Sequence, residues 1–141
     1  SIFMEMAQSS ITRALDFLAD DPDLLLATVF GSIADGNPQI GSDIDVAVYP
    51  KKKLSSQQRQ KLSDQIACAT GRTVDLVDLT DADGALLRQI LRKGRIVFSK
   101  QPSVLGHLSE RLLGWQEDFE PQLNAMLETR LQLFITPAHG A

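Results

Sequence analysis

The chain has 141 residues, of which 43% are hydrophobic and 23% are charged. This length and balance are typical of one globular domain with its own core, and they exclude a largely disordered chain. The formal net charge is −4, so stable nucleic-acid binding is not expected, because such binding relies on an excess of Lys and Arg. No apolar run approaches the roughly 20 residues that cross a membrane. We also expect no signal peptide, since no basic region precedes an apolar core.

The predicted secondary structure alternates between helices and strands. Apolar residues at three- and four-residue spacing indicate helices, and short apolar or alternating runs bounded by Gly and Pro indicate strands. In chain order, the predicted elements are a helix over residues 5–18, strands over 24–30 and 43–49, a helix over 55–70, a strand over 73–79, a helix closed near 94, a strand over 95–99, and a long helical segment from 102.

The strand, helix and strand between residues 43 and 79 form a β-α-β unit. Such a unit nearly always joins parallel strands by a right-handed crossover. If the two strands start in register, Asp75 comes beside Asp43 and Asp45, which lie two residues apart and point the same way. Asp78 lies an odd number of positions from Asp75, so we expect it to face the opposite side of the sheet.

Carboxylates placed this closely raise one another's pKa unless a positive charge separates them. Mg²⁺ is the natural partner, because it takes oxygen ligands and often binds one or two carboxylates together with substrate phosphates. Three carboxylates can hold two metal ions, and Asp75 can also accept the proton of an attacking hydroxyl. Such a site suits attack on the α-phosphorus of a nucleoside triphosphate, with pyrophosphate as the leaving group.

A Gly-Ser pair precedes the carboxylates by about ten residues. Gly31 permits close backbone approach to a phosphate, and Ser32 adds a hydroxyl donor next to free amides. Ser42, just before Asp43, is a further candidate donor. Neither a P-loop nor a G-x-G-x-x-G motif is present. Gly-Ser alone is usually a turn, and Asp-x-Asp alone is more often a solvated strand, but the combination at this spacing favours a nucleotide site.

The segment GSIADGNPQIGSDIDVAV closely resembles the signature of the polymerase-β-like nucleotidyltransferase superfamily. The motifs GSIADG, SDID, VDLVDL and ILRKGRIVFS narrow the resemblance to the minimal nucleotidyltransferase (MNT) family, over roughly residues 10–100. The resemblance implies an α/β fold: a small mixed sheet flanked by helices, with a C-terminal helical extension. We expect a single domain over 1–141, with its core over about 10–100 and the extension over about 102–135.

MNT proteins often pair with a HEPN-domain partner as antitoxin and toxin. The resemblance implies a cytoplasmic protein adenylyltransferase that moves AMP from ATP to a tyrosine of the HEPN ribonuclease toxin. It implies that Asp43 and Asp45 are shared Mg²⁺ ligands, with two ions expected, and that Asp75 is the third ligand or the base. It also implies that Gly31 and Ser32 hold the triphosphate.

Two alternatives remain for the function. The chain could transfer a nucleotide to a small molecule such as an aminoglycoside, although its length leaves little room for a separate acceptor-binding domain. It could also be a non-catalytic antitoxin that neutralises its toxin by binding alone.

Several other residues have a plain structural interpretation beside a functional one. The stripe over residues 105–127, including Trp115 and Phe119, can be core or partner surface. We expect the Lys and Arg residues named at the end of this paragraph to lie on solvated surfaces rather than to contact phosphates. The two histidines lack the spacing of metal ligands. Cys68 is expected to be buried in its helix. As the lone cysteine, Cys68 excludes a disulfide framework and supports a cytoplasmic location. These cations and histidines are Lys51, Lys52, Lys53, Arg88, Arg92, Lys93, His107 and His139.

Overall fold

The computed structural model describes residues 2, 10–31, 43–82 and 84–115. The predictions for Ser32, Ser42, Phe119, His139 and the side chain of Trp115 lie outside the described residues. In chain order, the elements are a 3₁₀ helix Asp16–Asp20, β1 Leu24–Phe30, β2 Ile44–Pro50, α1 Ser56–Thr70, β3 Val74–Asp78, α2 Gly84–Lys93, β4 Arg95–Ser99 and α3 Pro102–Trp115.

The four strands form one mixed sheet in the order β3-β2-β1-β4. β1 runs antiparallel to both β2 and β4, whereas β2 and β3 are parallel. The predicted mixed sheet and the parallel β-α-β unit are therefore confirmed. β2 begins and ends one residue later than predicted. It extends to Pro50 because this residue is still paired with Leu24. Proline lacks an N–H, so it is tolerated at such a strand end.

The first predicted helix is shorter than expected within the described residues. Residues 10–14 are helical, and the chain then tightens into the 3₁₀ helix. The amide of Leu18 donates to the carbonyl of Leu15 at 3.0 Å, which is the three-residue bond of a 3₁₀ turn. The predicted helix over 5–18 is therefore wrong at its C-terminal end.

α1 has a sequence-encoded start and stop. The Ser55 hydroxyl accepts from the Gln58 amide at 3.1 Å, while the Gln58 side chain accepts from the Ser55 amide at 2.9 Å. This capping box fixes the first turn, and left-handed Gly71 ends the helix. Cys68 is exposed, so the prediction of a buried cysteine is wrong. At 100° per residue, Cys68 is turned away from buried Leu62.

Two hydrophobic cores cover the two faces of the sheet. The first core contains Ile44, Val46 and Val48 of β2 and packs under α1 and the 3₁₀ helix. The second core lies on the opposite face, includes Ala47, and packs under α2 and α3. The α3 residues Leu105, Leu108 and Leu112 are buried in the second core, which confirms the core interpretation for this part of the stripe. None of the described helices is long and apolar enough to cross a membrane.

Candidate active site

The parallel pairing of β2 with β3 brings two of the predicted carboxylates together. Asp45 is paired directly with Asp75. A backbone hydrogen bond closes each end of this strand pairing. The Ile44 amide donates to the Thr73 carbonyl at 2.8 Å, and the Leu79 amide donates to the Val48 carbonyl at 2.9 Å. Paired residues share a face, so both carboxylates leave the sheet on the side of the second core.

The three carboxylates differ in exposure and influence one another. Asp45 is half-buried, whereas Asp43 and Asp75 are exposed. Burial raises the pKa of the Asp45 carboxyl, and the negative charges of Asp75 and then Asp43 raise it further. Nearby like charges and lost hydration both disfavour the ionised form. The predicted carboxylates therefore interact electrostatically, and the charges of Asp43 and Asp75 both act on Asp45.

Gly31, at the end of β1, lies against the same carboxylate. Phe30 is paired with Asp45, and the next residue, Gly31, has a φ of +76°. A Cβ at Gly31 would overlap Oδ2 of Asp45 and lie 3.1 Å from its Cγ. Any side chain would therefore be strained by the left-handed backbone and would displace the carboxylate. The backbone of Gly31 and the Asp45 side chain form a tight concave corner.

Asp78 has a different environment, as strand parity predicted. Its side chain is only 2% exposed and lies on the strand position paired with Val48. One oxygen accepts from the Leu54 amide at 2.8 Å, and the other accepts from the Thr80 amide at 2.9 Å and the Thr80 hydroxyl at 2.7 Å. These bonds fasten the segment between β2 and α1 to the end of β3, so Asp78 has a structural role.

The donor set of the carboxylate cluster fits a hard divalent cation. Asp43, Asp45 and Asp75 offer only oxygen ligands, and a cation would relieve the repulsion that raises the pKa of Asp45. Among the described residues, no three His, Cys, Asp or Glu side chains already converge on one point as a metal-binding group.

One further group of side chains reaches this edge of the sheet. Arg95 opens β4 and is paired with Val29, the residue before Phe30. Arg92 and Lys93 end α2 just before it and are exposed, as predicted for a solvated helix face. Sequence reasoning did not single out Arg95, since only its charge marks it before the β1–β4 pairing is known.

The comparison with protein families identifies the type of domain. The polymerase beta nucleotidyltransferase model matches residues 13–103, more than half of the chain. The chain belongs to this family. The matched segment runs from before β1 to just beyond β4 and includes the carboxylate cluster. The chain thus carries a nucleotidyltransferase domain, and the predicted polymerase-β-like fold is confirmed.

A curated relative and solved structures indicate which members of the nucleotidyltransferase family this chain resembles. Over 97 residues the chain is 34% identical to the protein adenylyltransferase MntA of Shewanella oneidensis strain MR-1, covering 68% of this chain and 70% of MntA. The predicted resemblance to MNT antitoxins is confirmed. A crystal structure of a toxin-antitoxin with AMP-PNP has a TM-score of 0.62 and 26% identity, covering 94% of this chain and 98% of that one.

A second solved structure shares the fold. It contains a tri-AMPylated Shewanella oneidensis HEPN toxin in complex with an MNT antitoxin. The similar chain has a TM-score of 0.57 and 23% identity, with 96% of this chain and 98% of that chain covered. At this identity the match shows a common fold rather than a common activity.

Proposed function

We propose that this chain is an adenylyltransferase that moves AMP from ATP to a tyrosine hydroxyl of a HEPN ribonuclease toxin and so acts as its antitoxin. The observation that carries the proposal is the placement of Asp45 directly opposite Asp75, against the backbone of Gly31. This corner belongs to a nucleotidyltransferase domain whose curated relative is a protein adenylyltransferase.

In the proposed reaction, the tyrosine oxygen attacks the α-phosphorus of ATP. A new P–O bond forms to the tyrosine, the bond to the bridging oxygen breaks, and pyrophosphate leaves. Asp75 is exposed beside Asp45 and accepts the tyrosine proton. The backbone corner at Gly31, together with Ser32, positions the triphosphate, and Ser42 is the further candidate donor.

Asp43, Asp45 and Asp75 are the proposed ligands of Mg²⁺. When bound, the metal would supply Lewis-acid stabilisation of the negative charge that develops on the phosphates. Asp45 is the central ligand in this proposal, because it is half-buried and its pKa is raised first by burial and then by the charges of Asp75 and Asp43. Exposed Asp43 and Asp75 complete the proposed set of ligands.

The HEPN partner is proposed from the complexes in which structurally similar chains were solved. Two of the solved structures with this fold are toxin-antitoxin complexes, one with AMP-PNP and one with an AMPylated HEPN toxin. A protein acceptor also agrees with the name of the 34% identical relative. A cytoplasmic location is part of the same proposal.

Intact-mass spectrometry of the HEPN toxin tests this function. The toxin is incubated with the full chain, ATP and Mg²⁺, and its mass is expected to rise by whole AMP units. The matched control is the Asp43→Asn, Asp45→Asn variant, which is expected to leave the mass unchanged. If the variant still neutralises the toxin in cells at native expression, neutralisation occurs by binding alone. Modification of an aminoglycoside in place of the toxin would favour the small-molecule alternative.

A further inference from the structure

A cavity lies far from the carboxylate cluster, at the opposite end of the sheet. It has a volume of about 490 Å³ and is bounded by the 3₁₀ helix Asp16–Asp20, the start of β1 and one side of α1. β1 begins at Leu24, which lines the cavity, and ends at Phe30, which is paired with Asp45. Because a strand rises about 3.3 Å per residue, the cavity and Asp45 are roughly 20 Å apart. We call this space the interhelical cavity.

The floor of the interhelical cavity is apolar. Leu18, Leu24 and Leu62 line it and are buried in the first core. Phe17 and Leu54 also line it, and they pack against the first core while staying partly exposed. An apolar floor and a volume between about 300 and 1,000 Å³ are typical of sites for small organic ligands.

The wall formed by the 3₁₀ helix and the turn that follows it is acidic. Asp20, Asp21 and Asp23 line this wall. The Asp21 carboxylate accepts from the Asp23 amide at 2.9 Å, and the Asp23 carbonyl accepts from the Lys51 amide at 2.8 Å. The Lys100 ammonium donates to the Asp21 carbonyl at 2.6 Å rather than to a carboxylate. Backbone contacts thus hold the turn, while the exposed carboxylates of Asp20 and Asp23 stay available.

The wall formed by α1 carries the opposite charge. Gln58, Lys61 and Gln65 line it at three- and four-residue spacing, which places them on one side of the helix. Within the part of the chain that the structure describes, the side chains of Lys61, Asp20 and Asp23 form no hydrogen bond or ion pair. Opposite charges therefore line the same cavity without reaching each other, which leaves room for a ligand between them.

We propose that the interhelical cavity binds a short apolar peptide of two or three residues. The N-terminal ammonium of the peptide lies at Asp20 and Asp23, and its C-terminal carboxylate lies at Lys61. Its apolar side chains pack on Phe17 and Leu54, which removes apolar surface from water. Such a peptide reaches roughly 7–11 Å from end to end, which suits a cavity of about 490 Å³.

NMR titration of the isotope-labelled full chain with the dipeptide leucyl-phenylalanine tests this proposal. Amide shifts are expected around Leu24 and Leu62 and not around Asp45. The N-acetylated and the C-amidated forms of the same dipeptide are each expected to bind about tenfold more weakly, because each lacks one charged terminus. If both capped forms bound as tightly as the free dipeptide, the proposed charge contacts would be wrong.

The Asp20→Asn, Asp23→Asn variant tests the acidic wall. It is expected to bind the free dipeptide about tenfold more weakly, and the N-acetylated form within about twofold of the wild type, since that form has no ammonium. The matched control is the Asp16→Asn, Asp64→Asn variant, which removes the same charge from exposed positions outside the cavity lining. The control is expected to bind like the wild type, and thermal melts verify that both variants are folded. Equal losses in the two variants would overturn the proposal, since they would reflect net charge alone.

The same titration keeps this inference apart from the proposed function. The Asp43→Asn, Asp45→Asn variant is expected to bind the dipeptide like the wild type, because these carboxylates lie roughly 20 Å from the cavity. If the wild type binds the dipeptide but leaves the HEPN toxin unmodified, this inference stands and the proposed function fails. If millimolar dipeptide causes no shifts at the cavity, this inference fails, whatever the toxin assay shows.

Discussion

Asp45 of β2 and Asp75 of β3 are directly paired, and burial and the neighbouring negative charges raise the pKa of Asp45. The fold thus holds two like charges together where strand pairing alone would favour neutral or opposite charges. Carboxylates with pKa values perturbed in this way are concentrated at functional sites. The arrangement has measurable consequences for stability as well as for activity.

Asp45→Asn is expected to raise the thermal midpoint at neutral pH in the absence of divalent cations. The raised pKa means that the native state holds the Asp45 proton more tightly than the unfolded chain does. The ionised carboxylate therefore lowers stability above its native pKa, and this cost disappears as pH falls below the ordinary Asp value of about 3.9. Thermal melts of both proteins across this range should converge at low pH. A lower midpoint for the variant at neutral pH would contradict the interpretation.

Mg²⁺ with a nonhydrolysable ATP analogue is expected to stabilise the wild type and not the Asp43→Asn, Asp45→Asn variant. A ligand at about 100 times its Kd stabilises the native state by about 2.7 kcal/mol. Thermal melts with and without EDTA check this. Equal stabilisation of the two proteins would show that the nucleotide binds independently of the carboxylates.

Gly31→Ala is expected to abolish Mg²⁺-dependent nucleotide binding. Its left-handed φ costs alanine about 1–2 kcal/mol, and its Cβ would displace the Asp45 carboxylate. Gly71→Ala is the matched control, because Gly71 has a φ of +67° and an added Cβ would meet no atom within 4 Å. Both variants should lose the stability that the left-handed backbone costs alanine, and Gly31→Ala should lose more because of the overlap with Asp45. Only Gly31→Ala should fail in nucleotide titration. If the Gly31→Ala variant still bound the nucleotide, Gly31 would not be part of the nucleotide site.

Asp75→Ala and Asp78→Ala are expected to have opposite effects. Asp78→Ala leaves the partly buried amides of Leu54 and Thr80 without their acceptor, which costs about 2–4 kcal/mol of unfolding free energy. Asp75 is exposed, so its loss should change stability by less than about 0.5 kcal/mol while lowering AMP transfer by roughly a hundredfold or more. Urea denaturation and intact-mass assays distinguish the two. A stable but inactive Asp78→Ala variant would contradict these assignments, because it would give Asp78 a role in AMP transfer rather than in stability.

The sequence was sufficient to predict elements whose signals are local. A serine at 55 or 56 and Gly71 mark the ends of α1, and the strand parity that separates Asp75 from Asp78 follows from the two-residue repeat. Strand order was not predictable, because β1 pairs with β2 and β4 across distant parts of the chain. The contact between Gly31 and Asp45 depends on that pairing and on a left-handed turn. The predicted roles in catalysis, metal binding and nucleotide binding all stay predictions; they concern Gly31, Ser32, Ser42, Asp43, Asp45 and Asp75.

The mixed sheet also implies an order of folding. Asp45 and Asp75 are separated by roughly 30 residues of chain, whereas the pairing of Thr28 with Ile96 closes a loop of roughly 70. Because the shorter closure costs less entropy, we expect the β-α-β unit to form before β4 docks. The repelling carboxylates then meet on the way to the native state. Asp45→Asn should accordingly speed refolding in stopped-flow dilution from urea, because the repulsion between the paired carboxylates adds to the height of the folding barrier.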